Sequence, residues 1–258
     1  MTNNKITTAV LLAAGMGDRL RPLTNNTPKC LVEVCGRPIL SYTIEALEQQ
    51  QFEKLIIVTG YKHSSLNEFV SQYAGPLEIE TVYNKDYAAT NNIYSLWLAA
   101  PLVKEPFMLI ESDIVLDPKS IAHFTEPDKI ALDYFDSELH NGTTAIVSDN
   151  GYLKNLFIKQ NPPQVVTLYK TVNIYSFSEQ TWKLLFREIS SFVENGHLNS
   201  FYEKAILNLL DEDCFRLKMV DFSDYWWDEI DTIDDLNRVE LVLNSDSIPE
   251  MAELEQEV

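Results

Sequence analysis

A glycine-containing loop near the N-terminus carries residue types that suit a phosphate-rich ligand. Gly15, Gly17 and Arg19 follow the apolar run Thr7–Ala13. Lys29 comes ten residues after Arg19, directly behind a proline. Glycines let backbone N–H groups approach phosphate oxygens closely. The planar guanidinium of arginine can donate two parallel hydrogen bonds to such oxygens, and the lysine ammonium adds a compact positive charge. Two such cations on one loop would neutralise a triphosphate.

Two common phosphate-binding fingerprints do not fit this loop. A dinucleotide-binding G-x-G-x-x-G requires a third glycine where the chain has Leu20, and Pro22 interrupts the helix that would have to follow. The lysine–serine pair of a P-loop is also missing after the glycines. Two alternatives remain open from the spacing: a nucleotide-binding glycine loop of another kind, and a surface turn with two solvated cations.

Two aspartates that lie far apart in the sequence are candidates for a metal site. Asp113 follows the apolar segment Pro106–Glu111, and Asp231 precedes a helical pattern at Ile233–Leu243. Two carboxylates, completed by phosphate oxygens and waters, suit Mg²⁺. Taken singly, Asp113 would more often be a helix cap or a loop acid, and Asp231 would more often belong to a cap on the last helix, formed by Asp231 or Thr232. The spacing therefore leaves a structural role open for both.

An aromatic and acidic cluster, YWWDE at residues 225–229, stands immediately before Asp231. Aromatic faces and carboxylates attract an ammonium group, and cation–π attraction alone contributes about 0.5–2 kcal/mol. In an extended segment Trp226 and Trp227 point to opposite faces, so at most one of them would line a site. The alternative is a strand whose aromatic side chains pack in the core.

The charge distribution disfavours several classes of partner. The chain carries a net charge of −19, which argues against nucleic acid and anionic membranes. Residues 1–40 nevertheless hold five Lys or Arg against two acids, whereas residues 221–258 hold thirteen acids against Arg238. A local cationic region in an acidic protein suits a small anionic ligand.

Length and composition predict a globular α/β protein of the cytoplasm. The 258 residues, 45% of them apolar, fit one large domain with a core. The sequence contains no run of about 20 apolar residues and no apolar leader at residues 1–8. Its three cysteines lack metal-ligand spacing, which argues against a disulfide framework or a zinc site.

Alternating apolar and helical patterns predict the elements that position the candidate residues. Four strands and three intervening helices are expected in the first half, at residues 7–13, 54–60, 77–82 and 106–111, and at 38–50, 63–73 and 92–100. Helical crossovers between strands imply parallel pairing. The predicted fold is therefore α/β, with a Rossmann-like, mostly parallel mixed sheet that is flanked by helices.

Beyond Pro118 the pattern changes to shorter strands with Asn-Gly turns at residues 141–142 and 150–151. We expect residues 1–244 to form one domain, within which residues 129–175 are a small antiparallel, acceptor-binding insertion. Residues 245–258 are acidic and low in aromatics, which predicts a tail.

The motifs, taken in order, resemble those of the sugar-nucleotidyltransferase superfamily, whose members join a nucleoside triphosphate to a phosphorylated small molecule. The resemblance rests on LAAGxGxRLxPLT, PKxL and GxPI within residues 12–39, and on GY at 60–61, NNIYSL at 91–96, ESD at 111–113 and EID at 229–231. Residues 91–96 and 229–231 resemble the CTP:phosphocholine cytidylyltransferases. Residues 109–113 and 169–175 are more similar to the 2-aminoethylphosphonate cytidylyltransferases.

The resemblance implies an enzyme that catalyses a direct displacement, in which an acceptor phosphate or phosphonate oxygen attacks the α-phosphorus of CTP and pyrophosphate leaves. It implies that Arg19 and Lys29 bind the triphosphate and the leaving group, and that Mg²⁺ is the cofactor, held by Asp113 and Asp231. Glu111 stands where many relatives have an aspartate. The nucleotide pocket is expected at Leu12, Ala13, Ala14, Gly15, Gly17, Gly60 and Asn91.

The expected partners are CTP and a small amino-alkyl phosphonate or phosphate. Lys170 and Asn173 are candidates to hold the acceptor's anion, with a surface lysine as the alternative for Lys170, and Trp227 and Glu229 are candidates to hold its ammonium group. The sequence is compatible with a homodimer. Two other functions are also left open, a sugar-1-phosphate nucleotidyltransferase and a catalytically silent regulatory subunit of this fold.

Overall fold

A mixed β-sheet organises the protein. The structure, a computed structural model, describes residues 5–137, 139–160, 167–212 and 214–245. In chain order the strands in this part of the chain are β1 (Thr8–Ala13), β2 (Glu33–Val34), β3 (Arg37–Pro38), β4 (Lys54–Thr59), β5 (Glu78–Tyr83), β6 (Phe107–Glu111), β7 (Ile114–Leu116), β8 (Lys129–Tyr134), β9 (Thr144–Val147), β10 (Leu153–Phe157), β11 (Tyr169–Phe177), β12 (Lys218–Asp221) and β13 (Trp227–Glu229).

Six α-helices connect and cover these strands in the described residues. They are α1 (Ile39–Gln49), α2 (His63–Gln72), α3 (Asn92–Ala99), α4 (Glu179–Glu194), α5 (Tyr202–Leu209) and α6 (Ile233–Leu243). Short 3-10 helices occupy the loops, among them Asp18–Leu20 and Lys29–Leu31, which carry the two predicted phosphate-binding cations.

The parallel part of the sheet is the part that the sequence pattern predicted. β1 is central, pairs in parallel with β4 on one side and β6 on the other, and β5 extends the sheet beyond β4. All six residues of β1 are buried. Such a strand reads as a continuous apolar run because helices cover both faces of the sheet. The predicted fold class is confirmed.

The antiparallel part of the sheet is joined to the parallel part through β11. Residues Ile174–Phe177 of β11 pair antiparallel with β6. β8 pairs antiparallel with residues 169–171 and 175–176 of β11, and β9 pairs antiparallel with residues 169–170. The strand order is β10-β9-β11-β6-β1-β4-β5, and β8 carries β12 in parallel. The strands predicted as a small insertion at residues 129–175 therefore continue the main sheet.

A two-stranded ribbon that the sequence did not predict lies beside the main sheet. β13 pairs antiparallel with β7, with Trp227 opposite Leu116 and Glu229 opposite Ile114. The backbone N–H of Ile230 then donates to the carbonyl oxygen of Asp113 at 2.9 Å. The ribbon therefore joins the chain just before Asp231 to the loop that follows β6.

Each face of the sheet packs against its own apolar cluster. Along β1, Val10 and Leu12 point into a cluster with α3, α4 and α5, while Ala9 and Leu11 point into one with α1 and α2. Each fully buried Val or Leu contributes roughly 1.5–3 kcal/mol relative to exposure. A third cluster includes Leu20 and links the glycine loop to α6.

The three cysteines, Cys30, Cys35 and Cys214, are all free thiols. Cys30 is buried, and burial raises the pKa of its thiol to about 12.

In the part of the chain that the structure covers, none of the helices combines the length and apolar character that crossing a bilayer requires. The predicted tail, residues 245–258, lies outside the described residues except for Ser245.

The contact between Gly60 and Ala14 gives a test of the packing beneath the glycine loop. A Cβ on Gly60 would lie 2.5 Å from the carbonyl oxygen and 2.8 Å from the Cα of Ala14, whereas a Cβ on Gly15 would have no atom within 4 Å. We expect Gly60→Ala to lower the free energy of unfolding by about 1–3 kcal/mol, because backbone atoms must move. Urea denaturation measures this.

Gly15→Ala is the matched control, since it adds the same methyl group to the same pair of loops. It should change the free energy of unfolding by less than about 0.5 kcal/mol. Equal stability of the two variants would contradict the proposed packing constraint.

Candidate active site

A cleft of about 390 Å³ opens at the carboxyl ends of β1 and β6. Ligands of open α/β sheets bind in this position. The cleft is lined by both predicted cations, both predicted metal ligands and most of the predicted nucleotide pocket: Arg19, Lys29, Asp113, Asp231, Leu12, Ala13, Ala14, Gly15, Gly17 and Asn91. The structure therefore brings together residues from both ends of the chain.

Gly60 is the predicted nucleotide-pocket residue that does not line the cleft. It packs against the backbone of Ala14, and the N–H of Tyr61 donates to the Ala14 carbonyl oxygen at 3.0 Å. Its lack of a side chain therefore permits the loop after β4 to support the loop after β1. Gly60 acts on the cleft through packing.

The glycine loop is held against the segment that carries Lys29. Gly17 has a φ of +63°, and a Cβ there would lie 3.1 Å from both Lys29 Cβ and Thr24 Cγ2. The Thr24 hydroxyl donates to the Gly17 carbonyl at 2.8 Å, and the Tyr61 hydroxyl donates to the Thr24 carbonyl at 2.9 Å. A positive φ and this close approach both favour glycine.

Lys29 joins the two predicted metal ligands. Its Nζ lies 2.6 Å from Asp113 Oδ2 and 2.6 Å from Asp231 Oδ1, and Arg19 lies 2.8 Å from Asp231 Oδ2. Burial alone would lower the pKa of Lys29, but the charges of Asp113 and Asp231 and their hydrogen bonds outweigh it and raise the pKa. Lys29 therefore remains charged at neutral pH.

The cap of α6 is Thr232, one of the two residues that the helix-capping alternative allows, and not Asp231. Thr232 caps α6: its hydroxyl accepts from the N–H of Asp235, and the Asp235 carboxylate accepts from the N–H of Thr232. Asp235 also accepts the N–H of Asp231 at 3.1 Å. This capping box leaves the Asp231 carboxylate directed toward Lys29 and Arg19 in the cleft.

The two aspartates fit a hard divalent cation that completes its coordination with other ligands. Asp113 Oδ1 is buried and has no hydrogen-bond partner among the described residues, although both oxygens of Asp231 are paired. No group of three or more His, Cys, Asp or Glu among the described residues is arranged to hold a metal ion. Two carboxylates suit Mg²⁺ when phosphate oxygens and waters supply the rest.

A second cavity of about 460 Å³ adjoins the cleft and shares Arg19, Asp113 and Asp231 with it. It is lined by three of the four predicted acceptor-binding residues, Lys170, Asn173 and Glu229. Arg19 and the two aspartates therefore lie where the cleft and the second cavity meet.

Lys170 is a buried residue, so the surface-lysine alternative is wrong. Its side chain is 2% exposed, and its Nζ lies 3.1 Å from Glu229 Oε2 and donates to the Thr171 carbonyl at 2.7 Å. Asn173 Nδ2 donates to Glu229 Oε1 at 2.7 Å. Burial raises the pKa of Glu229, while the Lys170 charge lowers it and the Asp113 charge raises it further.

Trp227 lies on the far side of Lys170 and does not line the second cavity. Its ring centroid is 5.9 Å from Lys170 Nζ, its ring stacks on His140 at 5.8 Å, and its Nε1 donates to Asp133 at 2.7 Å. Trp226 packs against the third apolar cluster instead. The two indoles pack against different apolar clusters, but both line a smaller cavity of about 200 Å³. Trp227 faces a cation supplied by the protein itself.

A pair of acids, the partly buried Glu111 and the buried Glu203, was not predicted as part of the site. Asn92 Nδ2 donates to Glu111 Oε1 at 3.1 Å and to Glu203 Oε2 at 3.5 Å, and all three residues line the second cavity. Burial raises the pKa of Glu111, and the charges of Asp113 and Glu203 raise it further. Helical spacing places Glu203 on the face of Ile206, a signal that could have identified it.

A family model described as nucleotidyl transferase matches residues 8–246. The chain belongs to the nucleotidyl transferase family. The predicted resemblance is confirmed, and the cleft of this nucleotidyl transferase is built from the motifs that carried it.

Its relatives include cytidylyltransferases. The choline-phosphate cytidylyltransferase of Streptococcus pneumoniae is 42% identical over 90 residues, which covers 35% of this chain and 38% of that protein's length. The 2-aminoethylphosphonate cytidylyltransferase of Lancefieldella rimae is 28% identical over 216 residues, 82% of this chain and 83% of that protein. A solved CTP:phosphocholine cytidylyltransferase from S. pneumoniae has a TM-score of 0.81 at 23% identity, covering 93% and 100% of the two chains, and shares the fold.

The raised pKa of Glu111 predicts a pH-dependent cost to stability. Since the folded-state pKa lies above that of the unfolded chain, the folded state loses stability as pH rises from the ordinary glutamate value toward the raised one. We expect Glu111→Gln to raise the thermal unfolding midpoint at pH 8 by about 2–4 °C. The gain should disappear near pH 4, where both states bind the proton.

Glu68→Gln serves as the control, because Glu68 is an exposed glutamate on α2. Its midpoint should follow that of the wild type at every pH. A Glu111→Gln variant less stable than the wild type at pH 8 would contradict the buried-charge interpretation.

Proposed function

We propose that this nucleotidyl transferase is a Mg²⁺-dependent cytidylyltransferase that transfers CMP from CTP to the phosphonate or phosphate of a small amino-alkyl acceptor and releases pyrophosphate. The observation that carries the proposal is the convergence of Arg19, Lys29, Asp113 and Asp231 where two cavities meet. The cytidylyltransferases among its relatives support CTP as the donor and a phosphonate or phosphate as the acceptor.

The nucleotide would bind in the cleft formed by the glycine loop. The N–H groups of the loop donate to the phosphate chain, the exposed guanidinium of Arg19 binds phosphate oxygens, and Lys29 neutralises charge that develops on the leaving pyrophosphate. Asn91 caps α3 with its side chain and lies at the same cleft, where it would contact the nucleoside.

The reaction would be an in-line displacement at the α-phosphorus. An acceptor oxygen forms a bond to that phosphorus, the bond to the bridging oxygen of the pyrophosphate breaks, and the electron pair leaves with pyrophosphate. The attacking oxygen is ionised at neutral pH, so no general base is required. The contribution of the protein is alignment and charge neutralisation.

Asp113 and Asp231 would hold the magnesium ion. Asp113 Oδ1 is buried and has no hydrogen-bond partner among the described residues, so a bound cation would satisfy it. When bound, the ion would neutralise phosphate charge and orient the reacting oxygens.

The acceptor would occupy the second cavity. Its anion lies toward Arg19 and the cleft, and its ammonium group lies toward the carboxylates of Glu111, Glu203 and Glu229. A primary ammonium donates hydrogen bonds to such groups, whereas a quaternary one depends more on aromatic faces. Because Trp227 already faces Lys170 and His140, we favour 2-aminoethylphosphonate over phosphocholine.

A substrate panel tests the function. Pyrophosphate release is measured with CTP, UTP, ATP, GTP and dTTP against 2-aminoethylphosphonate, phosphocholine and glucose-1-phosphate. We expect CTP with 2-aminoethylphosphonate to give the highest kcat/KM and glucose-1-phosphate to give the lowest. Preference for glucose-1-phosphate with UTP or dTTP would identify a sugar nucleotidyltransferase, and no turnover with any pair would favour a regulatory subunit.

Substitution of one metal ligand tests the assignment of the carboxylates. Asp113→Asn should lower kcat by about 10²-fold or more, because it removes a charge that acts at the reacting phosphates. Circular dichroism should show an unchanged fold. Asp149→Asn, at an exposed aspartate outside the cleft, is the control and should keep wild-type activity, and equal activity of both variants would exclude Asp113 from the metal site.

A further inference from the structure

The carboxylates proposed to hold the metal are already paired with cations of the protein. Three of their four oxygens, Asp113 Oδ2 and both oxygens of Asp231, contact Lys29 or Arg19. The fourth, Asp113 Oδ1, is buried without a partner. Two negative charges therefore face two positive ones, and the Lys29 ammonium is at hydrogen-bond distance from both carboxylates.

We propose that Lys29 is an internal counter-ion that keeps divalent metal out of the site until a nucleoside triphosphate binds. Its ammonium fills the position between Asp113 and Asp231 that a metal bridging the two carboxylates would take. The triphosphate offers Lys29 and Arg19 other anionic partners, and their departure frees both carboxylates. The inference rests on the proposed function for the metal site and for the triphosphate that binds beside it.

The packing of Lys29 allows its ammonium to move while its backbone stays in place. Lys29 begins a short 3-10 helix in which the next residue, Cys30, is fully buried. Its Cβ and Cγ pack against Gly17 in the glycine loop. The outer methylenes and the ammonium end in the cleft, so rotation of the distal side chain can carry the charge from the carboxylates to a phosphate bound on the same loop.

Charge balance gives this exchange a direction. Without nucleotide, a divalent ion must displace a buried ammonium from two hydrogen bonds, which costs the protein a favourable ion pair. With the triphosphate bound, Lys29 and Arg19 have phosphate partners and the aspartates are left unpaired. Metal and nucleotide should therefore favour each other's binding by the same factor.

Binding of Mn²⁺, the probe metal, tests the inference without turnover. Free Mn²⁺ is followed by electron paramagnetic resonance while it is titrated into the full chain, with and without α,β-methylene-CTP. After subtraction of the Mn²⁺ that the analogue binds in a titration without protein, the wild type should bind Mn²⁺ at least about tenfold more tightly when the analogue is present.

Lys29→Met should weaken the dependence of Mn²⁺ binding on nucleotide. Removing the ammonium leaves two carboxylates with Arg19 as their remaining partner, so nucleotide-free Lys29→Met should bind Mn²⁺ at least about tenfold more tightly than the nucleotide-free wild type. Addition of Asp113→Asn to this variant should abolish the gain. Lys54→Met, which also removes a lysine paired with two acids but lies outside the cleft, should bind as the wild type does.

Two results would overturn the inference: nucleotide-free Lys29→Met that binds Mn²⁺ no more tightly than the wild type, or wild-type binding that does not depend on the analogue. If circular dichroism shows that Lys29→Met is unfolded, Lys29→Gln carries the same prediction. The gain in Mn²⁺ affinity combined with no turnover in the substrate panel would refute the proposed function alone. Turnover without that gain would refute this inference alone.

Discussion

The cleft depends on an ion cluster in which one lysine ammonium joins two aspartates from distant parts of the sequence. Lys29 contacts Asp113 and Asp231 at 2.6 Å each. Both aspartates are far from Lys29 in the sequence, so local structure does not bring them to it. The ribbon of β7 and β13 brings Asp231 close to Asp113. Its strand pairing continues into a hydrogen bond from the Ile230 N–H to the Asp113 carbonyl oxygen. Strand pairing outside the main sheet therefore decides the geometry of the charged groups.

The same principle of internal pairing explains how an acidic protein maintains an anion-binding cleft. The net charge is −19, yet the buried cations Lys29 and Lys170 lie at the cleft and the second cavity, each beside carboxylates. Such pairs contribute little net stability once the cost of desolvation is counted. Their effect is to hold charge in a defined place, where a phosphate or an ammonium group can exchange with one member of a pair.

Much of the fold was predictable because its signals are local. The apolar run of β1, the helical periodicity of α1 and α6 and the turn residues between later strands each depend on neighbouring residues alone. The ribbon was not predictable, because β7 and β13 have only three residues each and pair across a long stretch of chain. The burial of Lys170 was also missed, since a lysine in a strand is usually exposed and its partner Glu229 lies on another strand.

The sequence by itself determined which chemistry is available: glycines and two cations after a buried strand, two separated aspartates, and a match to one family over most of the chain. Tertiary structure alone decided how these groups meet. It placed Gly60 beneath the loop, turned Trp227 toward Lys170, and set Lys29 between the aspartates. The physical reason is that residue type limits what a side chain can bind, whereas its partners follow from long-range packing, which local sequence patterns do not encode.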